Sequence, residues 1–537
     1  MMPKHYRYVL IGSGVAAVTL AKQLLQEDRA TSILMLEAGP RVPRGDRRGW
    51  WDYVLTGRKP YDFCYDIPGE NKTTGDGTKW GYEGARIMAY GGSTGHWGAW
   101  SLRYKPEDFE LFTNTGEGAD WPIDYNDLDP YYQQAEDYLS VCGDTKESWN
   151  ANRANQPFPR PVFGWTEADG LMVESFKKNG IEPGNMPIAR YRKCMATGTC
   201  KYCPIGSRYT AHDVLDELVE DPRHVNFVMR CLSPVTKLVA DRKSHIAAAE
   251  YLDTKSGETI SVTADIFVVA GGTYESPKLL MRSKSAFWPQ GIGNDNDLVG
   301  RHIVSHSFLR VSGTLPANRR RWLQEFDFPT LMSRTYDAPE YQQDGKIFLF
   351  KNRALPNVDI ARLMKKGQTR EQIRAILSGP MTFELQAFYE EKGQYQNRLI
   401  ERPGTNRFGL PLMSINYSRE TKFGERTQRQ LARMKPVIDD MGCGEVKTFV
   451  DDPGGHHASG TCRMGETPEH GVTDKDMKVF GTDNLYVCSN AAFPTCAAVN
   501  PTLTLAALTL RLAEHFIGNS SVRVAHETVQ PTVEISA

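Results

Sequence analysis

Tyr6 to Pro40 reads YRYVLIGSGVAAVTLAKQLLQEDRATSILMLEAGP, and the fold turns on this stretch. Tyr8-Val9-Leu10-Ile11 is a short apolar run of the kind that makes a buried parallel strand. Gly12-Ser13-Gly14-Val15-Ala16-Ala17 follows at once, and Val18, Leu20, Ala21, Leu24 and Leu25 then recur at helical spacing. A second strand, Ile33-Leu34-Met35-Leu36, ends in Glu37. Gly12 permits the sharp turn, Gly14 lets backbone N–H groups approach a pyrophosphate at the helix N-terminus, and Ala17 is small enough for the helix to pack on the strand. Glu37 can accept hydrogen bonds from a ribose. An ordinary βαβ unit would not explain an acid at the end of the second strand. The order strand, glycine turn, helix, strand, acid therefore predicts an adenine dinucleotide site. The acid disfavours a 2′-phosphate, which points to FAD or NAD over NADP.

At 537 residues the chain is long enough for two domains. A net charge of −1 without long runs of one sign argues against a nucleic-acid partner. The strongest basic cluster, Arg319-Arg320-Arg321, reads as a solvated loop. The first strand begins by Tyr6, which leaves no room for a targeting segment. Leu503 to Ile517 is interrupted by Arg511, Glu514 and His515, so it reads as an amphipathic helix and not a membrane span. Ten cysteines in this length do not make a disulfide scaffold.

Arg41 to Tyr82 is rich in Gly, Pro, Asp and Trp and reads as a long loop region, a lid or a partner contact. Glycines crowd Arg86 to Arg103 (RIMAYGGSTGHWGAWSLR), as a close backbone approach to a ligand requires. Asp124 to Val141 predicts a helix capped by Asp129, with Pro130 in its first turn. A β meander is expected over Asn226–Met229, Val235–Val239, Ala247–Leu252 and Thr259–Thr263. A separate buried strand, Ala264 to Ala270, then runs into Gly271-Gly272. Alternation over Lys346–Phe350, Met381–Phe388 and Leu412–Tyr417 predicts an antiparallel sheet, and Arg419 to Met441 a long helix with Pro436 inside.

Four pieces then line up: the dinucleotide motif with Glu37; Gly91-Gly92-Ser93-Thr94-Gly95-His96-Trp97-Gly98; Val268 to Leu280; and His456-His457-Ala458-Ser459-Gly460-Thr461 with Val499-Asn500-Pro501. Together they resemble the glucose–methanol–choline (GMC) flavoprotein oxidoreductases. The resemblance implies an α/β fold with a Rossmann-like FAD-binding domain, residues 1–305 plus 443–537, and a discontinuous antiparallel-sheet substrate domain, residues 306–442. It implies FAD, and hydride transfer from an alcohol to the flavin N5. His457 stands where the family's catalytic histidine stands, and Asn500 at its second active-site position. A neutral imidazole is a suitable base for the hydroxyl proton, and an amide can hold the same oxygen as charge develops. Gly12, Gly14, Ala17, Glu37, Gly91, Gly92, Ser93, His96, Gly271, Ser489 and Pro501 are the expected cofactor contacts. His456 reads as structural. His96 occupies the place of the flavin-linked histidine of pyranose 2-oxidases, and packing against the isoalloxazine is the preferred role over a covalent bond. Ser489 replaces the family's usual Asp, a departure shared with the branch of gluconate, fructose and FAD-dependent glucose dehydrogenases.

The loop 190–210 carries Cys194, Cys200 and Cys203 in a C-x5-C-x2-C-P pattern, and three local thiolates with a terminal Cys-Pro suit an iron–sulfur centre. Three ligands fit a three-iron cluster (3Fe–4S) unless Cys231 or another residue supplies a fourth. A zinc site of Cys200, Cys203 and His212, or three unligated thiols, are the alternatives. The resemblance extends furthest to a glucoside 3-dehydrogenase or FAD-dependent glucose dehydrogenase catalytic subunit. Such a protein oxidises a secondary hydroxyl of a pyranoside, at C3 for the glucoside enzymes, and passes electrons through the cluster to an acceptor such as a cytochrome c. It works with a small accessory subunit whose signal peptide would carry both to the periplasm. The rivals are an oxygen-using GMC oxidase with inert cysteines and a non-enzymatic flavin-fold scaffold.

Overall fold

A computed structural model describes residues 5–518 apart from 44–46, 66–68, 83, 148, 150–155, 198, 316–325, 327 and 353–359. The Arg319–Arg321 cluster lies outside the described residues. Strand β1 (His5–Ile11), helix α1 (Val15–Glu27) and strand β2 (Ile33–Leu36) form as the opening stretch predicts. The two strands pair in parallel with Leu10 opposite Met35, and every residue of β2 is buried.

The first sheet runs in spatial order Phe227–Arg230, β2, β1, Thr259–Val269, His245–Leu252, Val235–Arg242, with Leu485–Val487 also paired to Thr259–Val269. Two expectations change here. Thr259–Val269 is one strand of eleven residues and not two. Its first half is antiparallel to His245–Leu252, with Val262 opposite Ala249, and its second half is parallel to β1, with Val268 opposite Leu10. Exposure alternates along the first half because one face is wet, and ends in three buried residues where both faces are covered. Phe227–Arg230 leaves the meander and pairs in parallel with β2 at the far edge. One face of the sheet is covered by α1, Tyr125–Leu139 and the apolar helix Thr502–Gly518, the other by Gly272–Arg282.

The helix Tyr125–Leu139 starts earlier than expected. Asp124 caps it and Asp127 returns the bond, a capping box, and Pro130 sits inside. Asp129 instead pairs with Arg103 at 2.8 Å.

A second sheet of six strands has the order Gly444–Val450, Ser307–Leu315, Met381–Tyr389, Ile347–Lys351, Leu331–Ser333, Gly184–Asn185. The helix Phe423–Asp440, with Pro436 inside, packs on it. Pro411–Tyr417 belongs elsewhere: with Arg398–Thr405 and Asn71–Gly75 it makes a separate three-stranded sheet, the last pair parallel. The region expected as a long loop, a lid or a partner contact, supplies that strand and the helix Arg47–Thr56. A buried ion cluster ties the second sheet to the 105–109 turn. Lys346, with no exposed side-chain surface, pairs with Asp108 and lies 3.2 Å from Asp337. No helix among the described residues is long and apolar enough to cross a membrane.

Candidate active site

A long groove of about 580 Å³ runs across the C-terminal edge of the first sheet. Gly12 makes the turn into α1 with φ +107°, and a Cβ there would sit 2.6 Å from the Ala270 carbonyl oxygen, so only glycine fits. Gly14 precedes the first turn of α1; a Cβ on it would meet no protein atom within 4 Å and would occupy the groove itself. The unpaired N–H groups of the α1 N-terminus therefore face open space suited to an anion. Glu37 is buried at one end. Its Oε2 accepts from the Ser13 N–H (3.1 Å) and hydroxyl (2.7 Å), and its Oε1 from the Gly39 N–H (2.9 Å). Burial pushes its carboxyl upward, against those three bonds.

Gly92, Ser93, His96, Gly271 and Ser489 also line the groove. Gly91, Ala17 and Pro501 act one layer back. A Cβ on Gly91 would strike the His212 backbone nitrogen at 2.6 Å, Ala17 is fully buried in α1, and the Pro501 carbonyl accepts from Leu505 at the start of the last helix. The Ser489 hydroxyl lies 3.3 Å from that of Ser276 and accepts from the Ala491 N–H. Arg208, which the sequence did not single out, is buried and donates to the carbonyls of Trp97 (2.6 Å) and Gly95 (2.5 Å). It clamps the glycine-rich loop that carries His96. Burial, and then the Arg208 charge, push His96 down to about 3, and its Nδ1 has no partner.

At the other end of the groove His457 and Asn500 meet. The Asn500 Nδ2 donates to His457 Nε2 at 3.1 Å, a bond that requires a neutral imidazole with its lone pair on Nε2. The His457 Nδ1 and the Asn500 Oδ1 are both buried without a partner. Three aromatic rings hold the imidazole edge-on: His306 at 5.0 Å, Phe388 at 5.2 Å and His456 at 4.9 Å. Protein surrounds the ring on every side but the groove's. That burial, with His456 and His306 adjacent, holds it well below the usual histidine range. Trp100 packs against Phe388 at 5.6 Å and lines the groove with its Nε1 unpaired.

The GMC oxidoreductase models match residues 88–308 and 403–509, which between them carry the groove's glycine loop, His457 and Asn500. The chain belongs to the GMC oxidoreductase family. It is 25% identical to the fructose dehydrogenase large subunit of Gluconobacter japonicus, over 95% of this chain and 97% of that one. It is 25% identical to the C-glycoside 3-oxidase of Arthrobacter globiformis, over 94% and 93%. The fold matches that of pyridoxine 4-oxidase from Mesorbium loti with a TM-score of 0.64, at 18% identity and covering 96% and 99%.

GMC membership implies FAD, and the groove fits it. The cradle is shaped by glycines a Cβ would block, a buried acid stands at one end, and unpaired polar atoms of His96, Asn490 and Asn500 stand toward the other. The cysteine loop fits its expected group less well. Cys194, Cys200 and Cys203 do line one small cavity with the buried Arg190 and Arg208, and the sulfurs of Cys194 and Cys203 accept backbone N–H groups at 3.4 and 3.3 Å. Yet among the described residues no three His, Cys, Asp or Glu side chains are disposed to hold a metal together. As placed, the thiols do not close round a cluster, nor do Cys200, Cys203 and His212 close round zinc.

Proposed function

We propose that this GMC oxidoreductase is a dehydrogenase of sugars, oxidising a secondary hydroxyl of a pyranoside, with C3 the favoured carbon. The observation that carries the reading is the His457–Asn500 pair, an unprotonated Nε2 held beside an amide at the closed end of the groove. FAD, when bound, supplies the hydride acceptor. The substrate hydroxyl displaces the Asn500 amide from His457 Nε2 and gives up its proton there, while the amide turns to donate to the forming oxyanion. Trp100 lines the groove beside Phe388 and offers an apolar ring face suited to a sugar's C–H face. The names of the fructose dehydrogenase and C-glycoside 3-oxidase relatives support a sugar and, for the second, position 3. The large-subunit relative supports a small accessory subunit, with an external protein such as a cytochrome c as acceptor.

Anaerobic mixing with a panel of pyranosides, followed by the flavin absorbance and by product identification, tests this. A 3-keto product and bleaching lost in His457→Ala are expected; bleaching retained by that variant sinks the mechanism. Rapid peroxide release in air would turn the assignment to an oxidase. An iron–sulfur centre joins this reading only if the three cysteines draw together. Iron and acid-labile sulfide that disappear in Cys200→Ser would establish it, and an active iron-free protein would remove it.

A further inference from the structure

We infer that the face built by the helix Arg47–Thr56, the cysteine loop and the helix Ile360–Lys365 is the docking surface for an electron-accepting protein with an acidic rim. The inference rests on the dehydrogenase reading above. Its first support is exposed apolar surface. Leu55, Phe63 and Met195 are 66, 67 and 64% exposed, and Trp51, Val54 and Met364 are exposed beside them. Exposed large apolar side chains gathered on one face mark an interaction site.

The pieces are joined. Trp50 Nε1 donates to the Thr199 hydroxyl (3.1 Å), Tyr61 OH donates to the Lys201 carbonyl (2.6 Å), and Lys365 Nζ donates to the Thr56 carbonyl (2.5 Å).

The second support is charge. Residues 190–208 carry no Asp or Glu, and of their five cations Arg192, Lys193 and Lys201 are exposed, with Arg190 and Arg208 buried behind them. Arg48, Arg58, Arg362 and Lys366 extend the exposed basic rim. Among the described residues of 47–65, 190–208 and 360–366 the only acids are Asp52 and Asp62, the second engaged by Lys59 at 2.9 Å, while Asp213 and Asp216 border the cysteine loop on its side toward Arg41. A partner with an acidic face is therefore drawn in, and one with a basic face is repelled.

The third support is what lies behind the face. Trp51 lies tilted against Trp50 at 5.1 Å, Tyr53 lies 6.1 Å from Tyr202, and Tyr61 and Tyr65 lie 6.2 and 5.8 Å from His96, which lines the groove. Aromatic side chains thus occupy the wall between this face and the cofactor groove. Oxidation of one carbinol to a carbonyl releases two electrons and two protons. Two one-electron acceptors leave this face reduced, and the protons go to solvent.

The test compares plastocyanin, an acidic one-electron acceptor, with mitochondrial cytochrome c, a basic one, and with neutral 1,4-benzoquinone, all on the flavin-loaded enzyme with excess substrate under argon. Plastocyanin reduction should be faster than cytochrome c reduction at low salt and should slow as ionic strength rises. Arg58→Glu/Lys366→Glu should slow plastocyanin reduction on the order of tenfold at low salt, speed cytochrome c reduction, and leave benzoquinone reduction unchanged. Equal, salt-independent rates with both proteins, unmoved by the variant, overturn the docking surface while benzoquinone turnover keeps the dehydrogenase reading. A variant that changes the sedimentation coefficient and not the acceptor rates would assign the face to a second copy of this chain and also overturn it. Failure of benzoquinone turnover itself overturns the dehydrogenase reading.

Discussion

Replacing Asn500 by Asp keeps the shape of the side chain and inverts its electrostatics. In the wild type an amide donates to the lone pair of His457 Nε2 across 3.1 Å. In Asn500→Asp a carboxylate stands at that distance and favours the imidazolium. At an effective dielectric of ~20 the attraction across that contact is about 5 kcal/mol, or about four pK units in favour of protonated His457. Desolvating the new carboxylate takes back part of this, so a rise of at least about two units remains. Wild-type His457 starts well below the ordinary range because it is buried beside His456 and His306. The acid limb of kcat/KM should therefore lie well below pH 6.5 in the wild type and move up by at least about two units in the variant. Asn500→Ala removes the donor without adding charge, and should lower kcat/KM by on the order of a hundredfold with the limb unmoved. The assay is kcat/KM for a pyranoside with benzoquinone between pH 5 and 9. The deficit of Asn500→Asp should shrink as the pH rises. A deficit of the same size at every pH would show that His457 is not the base whose protonation limits the reaction.

Three further outcomes follow from the same structure. A Cβ at Gly14 meets no protein atom within 4 Å and enters the groove, so in Gly14→Leu the side chain takes the cofactor's space: the apoprotein should keep its thermal midpoint while FAD retention, read by absorbance after gel filtration, is lost. Lys346→Met leaves Asp108 buried without its cation, while Asp337 keeps Arg334 at 2.6 Å, and should cost about 3–5 kcal/mol of unfolding free energy; a change under about 1 kcal/mol in urea titration would contradict the buried-cluster account. Burial lowers His302 and His306 to about 3, so their contribution is present above pH 6.5 and is lost as the pH falls below it. Burial raises Glu390 to about 7 and Glu391 to about 8; these acids stay protonated in the folded chain, and stability falls as the pH rises from 4.5 through those values. Between about pH 4.5 and 6.5 the two sets of slopes oppose each other; below that window only the histidine slopes remain and above it only the acid slopes, so urea titration should find the stability maximum inside it and a decline on both sides, about 1.4 kcal/mol per pH unit for each titrating group.

The cofactor half of the molecule was legible because its signals are local. The β1–α1–β2 pattern with Glu37, and the glycine loop with His96, declare themselves within a few residues. What escaped was long-range or dual-purpose. Thr259–Val269 looked like two strands because its alternation gives way to a continuous apolar run, and that change marks one strand leaving a half-wet antiparallel pair for a buried parallel one. Asp129 before Pro130 resembled a helix start, but Asp124 and Asp127 three residues apart complete a cap that Asp129, held by Arg103, does not. Leu412–Tyr417 has the right period, but no local feature could name Asn71–Gly75 as its neighbour. At the site, the motif pointed to His457 and Asn500, and the fold brings their side chains within 3.1 Å. Arg208 was not, because its role is to hold two carbonyl oxygens of another loop, and Phe388 was not, because a phenylalanine inside an alternating strand looks like any other core residue.

The parallel pairing of Asn71–Gly75 with Met413–Tyr417 bears on the order in which the holoprotein is made. Glu70 and Asn71 line the groove from one side of that seam, and Asn406 through Met413 supply much of the opposite rim. The two strands are separated by more than three hundred residues of chain, so during synthesis the groove stays unroofed until most of the polypeptide has emerged. Both rims of the groove are complete only late in synthesis, so a chain truncated before Pro411 should not retain FAD after gel filtration.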